Sequence, residues 1–211
     1  MFIDDTSFPG DGLFNMARDA ELLGRGERAL RVYRWDGPWV SLGRFQAAKD
    51  ALVSDCKVPH VVRPTGGGSV LHGHDVTIAL VFPSESRSVK ADYERATALI
   101  LVALNGCGVS AQLAKEGSPS AIGLVNDCFA HSSPCDIVNE YGQKICGCAL
   151  RRTRNTVLLQ ASIPTGEPLI EPNTVIQRAT RHFHTSVLAS KLCEQLEKAV
   201  TSQSLLSMQF C

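Results

Sequence analysis

The chain has 211 residues, 44% of them hydrophobic, which is enough for one sizeable core, so a single domain spanning 1–211 is expected. Lys+Arg and Asp+Glu number 21 each, giving a formal net charge of +0, which argues against nucleic acid or an anionic membrane as the main partner. There is no run of about eighteen apolar residues, and Met1-Phe2-Ile3-Asp4-Asp5 lacks the basic start and apolar centre of a signal peptide, so the expected location is cytoplasmic.

Leu13 to Leu23 carries apolar or small residues at helical spacing and is expected to end at Gly24 as a C-cap. Leu30–Tyr33 and Trp39–Leu42 read as strands joined through the turn signal Asp36-Gly37-Pro38. Gln46 to Val53 is a short helix candidate. Val58–Val62 and Val76–Phe82 are strands on either side of a glycine run, and Val89–Asn105 is an amphipathic helix followed by Gly106 and Gly108. Gly117–Ser120 reads as a loop. Asp136–Asn139 and Lys144–Leu150 form a hairpin across Glu140-Tyr141-Gly142-Gln143, and Asn155–Ile163 is the next strand. Gly166–Pro172 is a proline-rich connection before a surface helix over Ser186–Thr201. Hairpin-connected strands mixed with helices imply an α+β fold with a central mixed sheet rather than alternating βαβ units.

The chemistry concentrates around Arg63-Pro64-Thr65-Gly66-Gly67-Gly68-Ser69-Val70-Leu71-His72-Gly73. Three glycines in a row lose much backbone freedom on folding and pack nothing. They are explained if a ligand lies against bare backbone, with Arg63 and His72 facing an anionic or polarised group. No Gly-Lys-Ser/Thr follows, so this is not a Walker phosphate loop. Eight cysteines without a secretion signal read as free thiols. Cys128, Cys135, Cys146 and Cys148 cluster in sequence but lack paired C-x-x-C knuckles, and Cys146 and Cys148 share one strand face, so no metal site is assigned.

Three motifs in order resemble the lipoate–protein ligase and octanoyltransferase family of the biotin/lipoate ligase superfamily. They are Ser41-Leu42-Gly43-Arg44-Phe45-Gln46 following Tyr33-Arg34-Trp35, the glycine run with Arg63 and His72, and Gly142-Gln143-Lys144-Ile145-Cys146-Gly147-Cys148-Ala149. The resemblance runs from about Asn15 to Ile163. It implies a largely antiparallel mixed sheet with flanking helices, and an enzyme that moves an octanoyl or lipoyl group onto a lysine of a lipoyl-domain protein. Acceptors of that kind are a glycine-cleavage H protein or an acyltransferase subunit of a 2-oxoacid dehydrogenase. Lys144 would bind the acyl carbonyl, and burial could lower its pKa far enough to help deprotonate the acceptor amine. Cys128, in a Cys-Phe pair, would carry the acyl group as a thioester, its thiolate favoured by Lys144. Arg63, Gly66, Gly67, Gly68, Ser69, His72, Gly147 and Ala149 would bind substrate, with Val70, Leu71 and Ile78 as tunnel wall. Cys135 and Cys146 are the fallback nucleophiles.

The family divides by acyl donor. A transferase needs no cofactor and draws on acyl carrier protein, whereas a ligase uses ATP and Mg²⁺ and places Arg63 and the glycine backbone near a phosphate. Gly68 stands where the transferase branch often has arginine, and is more ligase-like. His74-Asp75-Val76-Thr77 replaces a Gly-Asn pair frequent in ligases, and Gln160-Ala161-Ser162 replaces their His-Gly strand. That altered strand keeps a non-catalytic acyl-binding relative as a further alternative. A separate C-terminal accessory domain is not expected in this chain, which favours the transferase or a ligase working with a separate accessory protein.

Overall fold

A computed structural model describes residues 1–84, 88–114, 126–134 and 136–207, and of residues 203–207 the backbone alone. The chain opens with β1 (Phe2–Gly10), α1 (Gly12–Arg25), β2 (Ala29–Trp35), β3 (Val40–Leu42) and α2 (Ala48–Ala51). It continues through β4 (His60–Val62), β5 (Val70–Leu71), β6 (Asp75–Pro83), α3 (Val89–Gly106) and β7 (Ala111–Leu113). A one-turn 3₁₀ segment, Cys128–Ala130, leads to β8 (Ile137–Asn139), β9 (Lys144–Arg152), β10 (Thr156–Pro164) and α4 (Ala189–Ser207). The expected loop at Gly117–Ser120 lies outside the described residues.

The main sheet has seven strands in the order β1-β2-β6-β10-β9-β8-β7. Only β1–β2 is parallel; the other neighbours are antiparallel. This is the expected α+β fold with a mixed, largely antiparallel sheet. Side chains alternate between its faces. Ile78, Leu159 and Ile163 pack against Ile100 and Leu104 of α3 and Leu192 and Leu196 of α4. Their neighbours Ala79 and Leu158 face the other way, onto Met16, Leu22 and Leu23 of α1. A second sheet of three strands, β4-β3-β5, packs its own cluster of Val40, Leu42, Leu71 and Ile176.

Three local readings shift. Helix α1 is started by Asp11, whose carboxylate accepts from the Phe14 N–H at 2.7 Å. It runs past Gly24 and is capped by Gly26 at φ 71°, the left-handed conformer that a Cβ disfavours. β2 and β3 follow one another in sequence but belong to different sheets, so Asp36-Gly37-Pro38 is a crossing between sheets and not a hairpin turn. β1 is not predicted from the sequence because Asp4, Asp5 and Pro9 are poor strand formers; an edge position tolerates them.

Candidate active site

The α1 face of the main sheet and the small sheet line a narrow cavity, with Arg63, Val70 and His72 from either side of the glycine run. Strand register decides what faces it. Gly147 sits opposite Ser162, and Ala149 opposite Gln160; Ser162 in turn pairs with Thr77, and Thr77 with Tyr33. All six line the cavity, together with Met16, Trp35, Ser41, Arg63, Val70, His72 and Cys128. Of the expected tunnel wall, Val70 is in place. Leu71 points into the small-sheet cluster and Ile78 into the α3–α4 core, as the alternation along β6 requires.

Lys144 starts β9 and is buried. Its ammonium donates to the carbonyl oxygens of Cys128 (2.8 Å) and His131 (3.0 Å) and to Asp136 Oδ2 (2.9 Å), and stands 3.7 Å from Cys128 Sγ. An ammonium has three N–H donors, and all three are engaged. Burial pulls the Lys144 pKa down, but its neighbours, the Cys128 sulfur and the Asp136 carboxylate hydrogen-bonded to it, outweigh that and the net shift is upward. Lys144 is therefore a persistent cation and not a base. Burial pushes the Cys128 thiol up, and the opposing pull of Lys144 and Arg63 does not cancel it, so the resting group is a thiol rather than the expected thiolate. Cys128 keeps partial exposure. A Cβ added at Gly147 would lie 3.1 Å from its sulfur, so this glycine makes the space beside the thiol.

Part of the glycine run is needed for close packing of protein on protein. A Cβ at Gly68 would meet Asn126 O at 2.8 Å and Cys128 N at 2.9 Å, while Gly67 has φ +86°. A Cβ on Gly43 would come 1.9 Å from Gly67 O, so a fourth glycine, from the first motif, permits the approach. Ser69 N–H donates to Asn126 O (2.5 Å) and accepts Cys128 N–H on its own carbonyl (2.9 Å), while its hydroxyl donates to Gln46 (3.0 Å). The run thus forms one wall of the Cys128 turn. Arg63 is buried and its donors are spent on the loop: Nη2 on Gly66 O and Gly68 O (both 2.6 Å), Nη1 on Ser41 O (2.9 Å), Nε on Thr65 Oγ1 (3.2 Å). It holds the glycine run in place.

His72 stacks on Trp35 at 3.9 Å, with Nε2 2.8 Å from Ser41 Oγ and Nδ1 2.8 Å from Asp75 Oδ2. Burial pushes the Asp75 carboxyl up, but His72, with hydrogen bonds from His72 and Ser162, holds it well below the usual carboxylate range. The Asp75 contact at Nδ1 and the Ser41 contact at Nε2 together fix the orientation of the His72 ring. The expected site residues did not include Asp75, Asp136, Gly43 and Ser41, although Ser41 and Gly43 lie in the first motif. Asp136 lies just before β8, whose Val138 pairs with Lys144 next to a register irregularity, and it reaches the ammonium from there. Gln160, read as a departure from the ligase strand, bridges Thr65 Oγ1 (2.7 Å) and Asp19 Oδ2 (2.7 Å) at the cavity floor. Cys146 and Cys148 share a face as expected, sulfurs 3.6 Å apart and packed in the α3–α4 core. Six cysteines are free among the described residues; Cys135 is outside them.

A largely antiparallel sheet that lines one cavity, with a glycine run packed on a cysteine turn and a lysine beside that cysteine, is an arrangement of the lipoate-ligase type. The model of the lipoyl protein ligase A/B catalytic domain matches residues 11–204, and the chain belongs to that family. The octanoyltransferase LipM of Carboxydothermus hydrogenoformans is 34% identical over 172 residues, 75% of this chain and 62% of that protein. The chain thus spans less than two thirds of that relative's length. Among solved structures, lipoate-protein ligase A bound with ATP superposes at TM-score 0.77 and 20% identity, covering 96% of this chain and 83% of the other. A bipartite lipoate protein ligase from Thermoplasma acidophilum, studied with its E2 lipoyl domain, gives 0.74 at 19% identity over 95% and 81%. These two likenesses show the shared fold.

Proposed function

We propose that this chain transfers a medium-chain acyl group, octanoyl or lipoyl, to a lysine of a lipoyl-domain protein through a thioester on Cys128. The carrying observation is the corner where the Cys128 sulfur lies 3.7 Å from the Lys144 ammonium, beside a glycine that leaves the sulfur uncovered. The similarity to an octanoyltransferase supports the choice of acyl group. In the first step the Cys128 sulfur bonds to the carbonyl carbon of an acyl thioester, such as acyl carrier protein carries. The old C–S bond breaks, and the thiol proton passes to the departing thiolate. In the second step the acceptor amine bonds to that carbon and the Cys128 C–S bond breaks. Of the two protons the acceptor ammonium loses, one returns to Cys128 and one goes to solvent.

Both steps build negative charge on the carbonyl oxygen, and Lys144 is the buried cation beside it. Its third donor is free for that oxygen once it releases the main-chain carbonyl of Cys128 or His131. The ATP-dependent alternative asks Arg63 to serve a phosphate, and the commitment of its donors to Ser41, Thr65, Gly66 and Gly68 favours the transferase. The transferase reading calls for no cofactor. The test supplies an apo lipoyl domain (from H protein or an E2 subunit) with octanoyl-acyl carrier protein without ATP, or with lipoate, ATP and Mg²⁺. Modification in the first mixture is expected. Modification in the second alone would make the chain a ligase, and in neither, a binding relative.

A further inference from the structure

The Cys128 turn is one 3₁₀ turn of three residues, too short to hold an orientation by itself. The glycine run braces it on one side. A separate brace stands on the other. Asp127 is buried, and its Oδ1 accepts the Phe129 N–H at 3.0 Å, while Oδ2 accepts the Thr180 N–H at 3.1 Å across 53 residues of sequence. His182 Nε2 approaches both oxygens, at 3.2 and 3.1 Å, with both side chains at 0% exposure. The His182 ring also lies 4.7 Å from the Phe129 ring. His182 Nδ1 is buried with no partner among the described residues, so Nε2 is the ring nitrogen that engages Asp127. A buried acid–imidazole pair is a weak source of stability compared with apolar packing. What it supplies here is direction, because a carboxylate gripped by donors from two chain segments can sit in one place only.

We propose that Asp127 and His182 are positioning residues that lock the Cys128 turn from the C-terminal side, making the segment around Thr180 and His182 part of the acyl-transfer apparatus. This rests on Cys128 being the acyl carrier. His182→Phe keeps the ring packing on Phe129 and deletes the donor. His182→Gln places an amide nitrogen where Nε2 was. Asp127→Asn is isosteric and turns one accepting oxygen into a donor.

The experiment reads octanoyl-thioester formation on Cys128 by intact mass in rapid-quench time courses across octanoyl-acyl carrier protein concentrations, with a thermal melt of each variant. His182→Phe and Asp127→Asn are expected to lower the maximal rate about tenfold or more, since misplacement of a reacting group by an ångström is costly. The half-saturating donor concentration should stay within about twofold, and His182→Gln should recover most of the rate. Native rates in His182→Phe or Asp127→Asn would overturn the inference. So would equal losses in Phe and Gln variants, which would mean packing alone. If His182→Phe fails to fold, Asp127→Asn and His182→Gln decide by the same criteria. Absence of any adduct on the native chain would instead remove the Cys128 reading itself.

Discussion

The two ends of the cavity are both built from buried charge, and they differ in how completely that charge is answered. At the floor, Arg31 is fully buried and donates to Asp5 (2.7 Å), Asp19 (3.0 Å) and Asn15 Oδ1 (2.8 Å), with the Tyr33 ring 4.0 Å from its guanidinium. Asp19 also accepts from the Tyr33 hydroxyl (2.8 Å) and Gln160 (2.7 Å). At the other end, Lys144 spends its donors on one carboxylate and two main-chain carbonyls, and Cys128 remains a thiol at the edge of its field. The floor is closed and sets shape. The corner holds one exchangeable contact, and that is where chemistry can occur.

Lys144→Ala should break this contrast most. It leaves Asp136 as an unpaired buried charge, a loss of about 3–5 kcal/mol in urea unfolding. It should also slow acyl transfer by about 10²–10³-fold, the usual effect of deleting one oxyanion donor. Native stability with native rate would remove Lys144 from both roles.

The imidazoles behind the corner offer a pH probe. Burial lowers His74 from 6.5 to about 4, so its folded-state pKa lies below the unfolded one. The unfolded chain takes up the proton first as pH falls. Stability held above about 6.5 should therefore decline between there and 4, by on the order of 3 kcal/mol. His74→Leu should flatten that limb; an unchanged slope would place the titration elsewhere.

At the floor, Gln160→Leu leaves Asp19 and Thr65 each one partner short, and about 1–3 kcal/mol of stability should be lost. The smallest effect tests the corner's spacing. Gly147→Ala puts a methyl 3.1 Å from the Cys128 sulfur. About 1 kcal/mol of added barrier, roughly fivefold in rate, is expected with the melting temperature nearly unchanged.

The corner was more legible in the sequence than the floor. A lysine at a glycine-flanked hairpin and a Cys-Phe pair sixteen positions earlier are local patterns, and the structure joins them. The floor's Asp19, Arg31 and Gln160 come from three distant elements, and no local periodicity links them. His182 is joined to Asp127 over 55 positions and was invisible for the same reason. Gly68 of the glycine run also makes room for Asn126 and Cys128, a chain approach that no sequence window contains. β1 was missed because edge strands do not need strand-forming residues.

The most direct test of the central claim is the intact mass of the native chain and of Cys128→Ala after incubation with octanoyl-acyl carrier protein in the absence of ATP. The account predicts an octanoyl adduct on the native chain only, removed by hydroxylamine as a thioester is. No adduct on the native chain, or an equal adduct on Cys128→Ala, would contradict it.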